Sequence, residues 1–462
     1  MIQLAVAHQE LLADTETPVS AFVKLCGQTG DALLLESGET VENVGRFSVA
    51  AWDPLARLVL HPDRAELSGL GGPRQAPAAD FFALARRLQA ELVCPDLPPL
   101  PCAGALAGYL SFEAVRLIER LPPAPPHHLP VAQLGYPSRL AVFDHLRRLL
   151  TLVAIDPDPA GAAAKLAEMR AALARPLCLA PRRASLSLDP PPREGFIAAV
   201  ERAKEYIAAG DIFQVVLSAR FTGLSDLDPL AAYRWLRVKS PSPYMFFLRL
   251  GGVALAGASP ETMVRVQDGR VFVRPIAGTR QRGVDAASDL ALEREMLASE
   301  KERAEHVMLV DLARNDVGRV AEYGSIKVEP YMSVERYSHV MHIVSQVEGR
   351  LRPGLDAWDA FMAGFPAGTV SGAPKVRAME IITELEREPR GPYAGAVGFF
   401  GPGVRMDTCI AIRMIQFEAG RVTLQAGAGI VADSLPEMEY QEIHHKAAQG
   451  LAALKAAAEG LL

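Results

Sequence analysis

Apolar residues in this chain fall at strand and helix spacings throughout, and the pattern sharpens after a composition boundary near residue 190. Up to about residue 120 they come in short runs between turn signals, as at 31–37 and 45–52, which predicts antiparallel strands with one helix over 78–92. The proline-rich residues 121–130 exclude regular structure. A strand over 139–153, an alanine-rich helix over 160–174 and the run Pro190-Pro191-Pro192 complete an N-terminal region, 1–190. In the second region, 191–462, helical and strand periods are sharper. Phe196, Val200, Ala203 and Ile207 predict a helix over 193–209 that Gly210 stops, and a strand over 212–218 carries Gln214 among apolar neighbours. Strands are expected at 253–257, 262–267, 270–276, 343–349, 395–400, 408–417 and 422–430, with helices from Ala357 and over 373–386.

The longest helical pattern, 300–316, has no internal Pro or Gly and ends before Gly318. Met308, Leu309 and Leu312 set an apolar stripe, and stepping back along it meets Glu305 and then Glu302. Glu439 and Glu442 repeat this spacing on a later helix, where Ser434 and Glu437 stand at capping-box distance. Two carboxylate pairs without Cys or His suit a hard cation such as Mg2+ that keeps its waters; equally, they can be two solvated acidic faces. Residues 364–375 form a Gly-rich loop entering a helix, a place for an anion or simply a tight turn. It is not a phosphate-binding Walker loop, because Pro374 and Val376 flank Lys375. Arg413 in an apolar strand needs an anionic partner, either a ligand or a structural Glu. His342, alternating with apolar residues, reads first as a core histidine.

Composition narrows the classes. A net charge of -6 with no dense Lys/Arg cluster argues against nucleic acid, and no apolar run reaches the length of a membrane span. The N-terminus lacks an export signal, and five dispersed cysteines without CxxC fit a reducing cytoplasm. Cys102 lacks the surroundings of an amidotransferase nucleophile.

The motifs GASPE (257–261), RPIAGTR (274–280), EKERAEHVMLVDLARND (300–316), ERYSHVMHIVS (335–345), FPAGTVSGAPK (365–375), RGPYAGAVG (390–398), MDTCIAIR (406–413) and AGAGIVADS (426–434) together resemble the chorismate-utilising enzymes, specifically anthranilate synthase component I. The likeness is dense from about residue 190 to 450 and thinner through LLADTETPVSAF (11–22) and LLES (34–37). It implies an α+β fold of two large antiparallel sheets packed face to face with helices outside, both regions contributing to one intertwined body. It also implies that chorismate and ammonia become anthranilate and pyruvate through an aminated isochorismate-type intermediate, as the first step of tryptophan biosynthesis in the cytoplasm. The rival within the family is aminodeoxychorismate synthase component I; outside it, a non-catalytic tryptophan-sensing subunit.

By the same resemblance, Mg2+ is held by Glu302, Glu305, Glu442 and, directly or through water, Glu439. Glu261 matches the general acid for the departing ring hydroxyl, His342 the residue required for aromatisation and Thr369 a ring-site contact. Gln214, Ala277, Gly278, Thr279, Tyr393, Arg413, Ala426, Gly427, Ala428, Gly429 and Lys446 line the substrate. Gln214 replaces the water-activating lysine of isochorismate and salicylate synthases, and Ala277 the nucleophilic lysine of aminodeoxychorismate synthases. Ammonia is expected from a separate glutamine amidotransferase subunit. Leu35, Glu36 and Ser37 with Pro243, Tyr244 and Met245 match an inhibitory tryptophan pocket, although Lys239-Ser240 departs from the usual residue before PSPYM.

Overall fold

A computed structural model of the chain describes residues 1–38, 45–126, 128–179, 182–337, 340–403 and 405–460; Ser338 and His339 of the motif 335–345 lie outside them. The antiparallel strands form two sheets over one apolar core, with helices on their outer faces, as expected. The first sheet runs in the order Leu186–Asp189, Gln214–Ser225, Arg421–Ile430, Met414–Glu418, Val253–Ser259, Tyr244–Leu250 and Ala32–Glu36. It continues through Phe47–Leu60 and Ala132–Asp144 to Leu149–Asp156 and Ala5–Leu12. The second sheet runs Arg74–Pro77, Arg64–Gly69, the far halves of Phe47–Leu60 and Ala132–Asp144, then Leu106–Leu110, Ala396–Phe400 and Met406–Ile410. Thr262–Gln267, Arg270–Val273, Val347–Arg350 and Lys327–Val328 complete it. Two long strands therefore belong to both sheets, bending where the register slips between Pro54 and Ala56. Strand Ala32–Glu36 lies between Phe47–Leu60 and Tyr244–Leu250, so segments far apart in sequence share a ladder.

The chain also passes from one sheet to the other at two adjacent places. Strand Val253–Ser259 pairs in the first sheet and Thr262–Gln267 in the second, so Pro260 and Glu261 make the crossing. Coming back, Met406–Ile410 pairs in the second sheet and Met414–Glu418 in the first. The single strand expected over 408–417 is thus two strands, broken at Ala411–Arg413, with Arg413 at φ 50. Backbone bonds Ile410 N–H to Glu261 O (3.1 Å) and Ala258 N–H to Arg413 O (3.1 Å) tie the crossings together.

Helix Glu300–Gly318 starts at Ser299, whose hydroxyl accepts the Glu302 N–H. Its buried residues are His306, Leu309, Val310, Ala313, Asp316 and Val317, so the stripe is turned away from Met308 and Leu312, and Glu302 and Glu305 stand half-buried at its margin. Helix Pro436–Ala458 begins after Leu435 with no side-chain cap. The expected Ser434 capping box does not form: Pro436 sets the first turn, Ser434 Oγ accepts from Val431 N–H, and Glu437 pairs with Arg193. Among the described residues no helix is long and apolar enough to cross a membrane.

Candidate active site

Glu261 sits at the first crossing, half-buried, and accepts a hydrogen bond from Thr369 Oγ1 at 2.8 Å. Thr369 is on the short turn Gly368–Val370, inside the Gly-rich loop. Burial pushes the Glu261 carboxyl up to about 7, against the Thr369 hydrogen bond and the charges of Lys446 and Arg413. Arg413, at the second crossing, reaches solvent, yet enough protein surrounds it that desolvation pulls its pKa below the ordinary guanidinium value, opposed by Glu261, Tyr393 and Glu442. Those three act on it through space; no carboxylate among the described residues forms an ion pair with it. Of the two partners open to Arg413 in the sequence, this geometry favours a ligand.

Tyr393 is buried, which raises its phenol to about 12 and keeps it a hydrogen-bond donor. Its hydroxyl lies where strand Arg421–Ile430 loses side-chain bulk: a Cβ on Gly427 would stand 2.8 Å from Tyr393 Oη, and one on Gly429 would stand 2.6 Å from Gln214 Nε2. Ala426 and Ala428, on the same strand, are buried, and Lys446 Nζ donates to Gly427 O at 3.0 Å. A side chain at 427 would press on the buried Tyr393 and the Leu217 carbonyl, and one at 429 would displace the Gln214 amide.

His342 belongs to a small separate sheet of Ile276–Gln281, Val340–Val344 and Ser333–Arg336. Its Nδ1 is 2.8 Å from the Gly278 carbonyl and 3.2 Å from Thr279 Oγ1. A carbonyl only accepts, so Nδ1 carries the proton and Nε2 is the basic nitrogen. Ala277 is buried beside it, pairing with Ile343, and Gly278 adopts φ +65 with Glu302 Oε2 3.2 Å from where its Cβ would be.

The four glutamates lie close enough to influence one another. Burial raises the Glu305 carboxyl, and Glu302 and Glu442 raise it further; burial and Glu442 likewise raise Glu439. Glu302 is paired with Arg280 at 3.0 Å and Glu442 with Lys446 at 2.6 Å, and among the described residues no three His, Cys, Asp or Glu side chains are grouped so as to hold a metal ion as they stand. The donors are half-buried carboxylate oxygens alone, a set that a hydrated Mg2+ accepts while keeping water or substrate in its remaining positions. Arg280 had no local signal in the sequence, since its partner Glu302 is on another element.

The segments around residues 35–37 and 243–245 are neighbours, with Met245 opposite Glu36 and Phe246 opposite Leu35 in one ladder. Glu36 is engaged by Tyr233 Oη (2.6 Å) and Arg237 (3.0 Å). Pro243 is buried, Ser37 half-buried, and Tyr244 Oη reaches Thr262 Oγ1 at 2.9 Å, one residue from Glu261. Cys102 is buried and burial raises its thiol to about 12, unlike an activated nucleophile.

Comparison with known proteins places the chain in a family. The profile of the chorismate binding enzyme family matches residues 30–452. Anthranilate synthase component 1 of Thermus thermophilus is 46% identical over 98% of this chain and 98% of its own length. That of Cereibacter sphaeroides is 44% identical over 99% and 95%. Among solved structures, anthranilate synthase component I from Streptococcus pneumoniae superposes with a TM-score of 0.78 at 34% identity, covering 95% of this chain and 99% of that one. The menaquinone-specific isochorismate synthase MenF of Escherichia coli shares the fold, with a TM-score of 0.75 at 20% identity over 98% and 94%. The chain belongs to the chorismate-binding enzyme family and is a chorismate-utilising enzyme.

Proposed function

We propose that the chain converts chorismate and ammonia to anthranilate, pyruvate and water. The observation that carries this reading is the meeting of Glu261, Thr369, Tyr393, Arg413 and the bare Gly427–Gly429 backbone at the two sheet crossings, in a chain whose relatives at 44% and 46% identity are named anthranilate synthase component 1. Arg413, Tyr393 and the strand around Gly427 hold the enolpyruvyl carboxylate. Ammonia adds to the ring while the ring hydroxyl leaves as water, taking its proton from Glu261, which Thr369 orients. His342 Nε2 then removes the ring proton as the ring C–O bond breaks, the ring becomes aromatic, and the departing enolpyruvate takes up a proton to become pyruvate. Mg2+, held by Glu302, Glu305, Glu442 and, directly or through water, Glu439, would supply positive charge to the ring carboxylate when bound. Alanine at 277 offers no amine to compete as nucleophile, which favours anthranilate over aminodeoxychorismate. Ammonia comes from a separate glutamine amidotransferase subunit, and tryptophan inhibits through the 35–37 and 243–245 segments.

Purified chain given chorismate, Mg2+ and ammonium should form anthranilate and pyruvate in equal amounts. Glutamine in place of ammonium should give no product, and EDTA should abolish turnover. An aminated, non-aromatic end product would overturn the assignment in favour of aminodeoxychorismate synthesis, and glutamine-dependent turnover by the single chain would remove the need for a partner.

A further inference from the structure

The motif RGPYAGAVG begins with Arg390, a residue to which the reaction above gives no task. Its side chain is 1% exposed and makes four hydrogen bonds. Nη1 donates to Val370 O at 2.5 Å, Nη2 to Val216 O at 2.6 Å and to Glu386 Oε1 at 2.7 Å, and Nε to Glu386 Oε2 at 2.8 Å. The guanidinium also lies 4.6 Å over the Phe112 ring. Glu386 in turn accepts from Ser218 N–H and Oγ, and Gln425 Nε2 donates to that hydroxyl. The backbone N–H groups of Arg390 and Gly391 are held by the Glu113 carboxylate at 2.7 and 3.0 Å.

Two of the four side-chain bonds, those to the Val370 and Val216 carbonyls, end on segments that carry a site residue. Val370 follows Thr369, which donates to Glu261. Val216 is two residues from Gln214 and lies opposite Gly429 in the ladder. Arg390 itself opens the turn to Tyr393. A buried ion pair is a poor source of stability compared with apolar side chains of the same size, whereas a planar five-donor fork fixes several acceptors in one geometry. We infer that Arg390 is a positioning residue for the reaction: it fixes the Val370 carbonyl and so the direction in which the Thr369 hydroxyl meets Glu261. This rests on the reading of Glu261 and Thr369 as part of the reaction site.

The test is a double-mutant cycle on the full chain, assayed with chorismate, Mg2+ and saturating ammonium. Arg390→Lys keeps the charge beside Glu386 and loses the fork, so kcat should fall about 10- to 100-fold. Its KM for chorismate should stay within about threefold, since Arg413 and Lys446 are untouched. Thr369→Val should also lower kcat. Because Arg390 acts through Thr369, adding Arg390→Lys to Thr369→Val should cost less than about twofold more. Equal losses in both backgrounds, or wild-type kcat in the single Arg390→Lys variant, would overturn the inference. Wild-type kcat in Thr369→Val would overturn the reading of the site and the inference with it. If Arg390→Lys is insoluble, Glu386→Gln takes its place under the same criteria, and insolubility of both would assign Arg390 to folding alone and overturn the inference.

Discussion

Glu261 keeps its proton near neutrality because burial at the sheet crossing raises its carboxyl to about 7. A general acid works only when protonated, so kcat/KM for chorismate at constant free ammonia should fall about tenfold per unit above about pH 7. A profile that stays level to about pH 9 would remove this role. The same shift carries a stability sign. The folded carboxyl binds its proton up to about 7 whereas an ordinary one releases it near 4.5, so the group's contribution is full below 4.5 and is lost as pH rises through about 7. Thermal stability of Glu261→Gln should therefore change less over that window than that of the wild type. His342 has a separate duty, and its Nδ1 bond to Gly278 sets which nitrogen is basic. His342→Met should still aminate chorismate but aromatise about 100-fold or more slowly, accumulating the aminated intermediate on chromatography. Anthranilate at the wild-type rate with no intermediate would exclude the role.

At the scale of elements, the site depends on two places where strands stop pairing and one where a strand loses its side chains. Arg413 stands between the sheets because the chain leaves the second sheet at Ile410 and joins the first at Met414, with Arg413 itself left-handed at φ 50. Strand Arg421–Ile430 stays paired but is bare at Gly427 and Gly429, so Tyr393 and Gln214 can approach. Gly427→Ala would put a methyl 2.8 Å from Tyr393 Oη. The Tyr393 ring is buried and cannot yield freely, so overpacking of about 1–3 kcal/mol is expected. It should raise KM for chorismate about tenfold with little loss of secondary structure, as measured by steady-state kinetics and circular dichroism. An unchanged KM would place the carboxylate elsewhere.

At the scale of the molecule, the 35–37 and 243–245 segments share a ladder that leads through Tyr244 and Thr262 to the residue beside Glu261. A ligand that binds one arrangement of this ladder better would shift turnover. Tryptophan should therefore lower initial rates in the wild type and much less in Ser37→Phe; equal inhibition of both would displace the pocket. The helices, most strands, the motif set and its resemblance to the chorismate-utilising enzymes were legible in the sequence, because propensity, period and capping act over a few neighbouring residues. Even so, the turned stripe of Glu300–Gly318 and the absent Ser434 capping box show local rules yielding to packing and to Pro436. The sequence alone also left Arg413 balanced between a salt bridge and a ligand, and it gave no sign of Arg280 on Glu302 or Arg390 on Val370. Those were decided by which strands change sheets and by contacts between distant segments, a matter of how two bent strands join two sheets around one core, which no local pattern encodes.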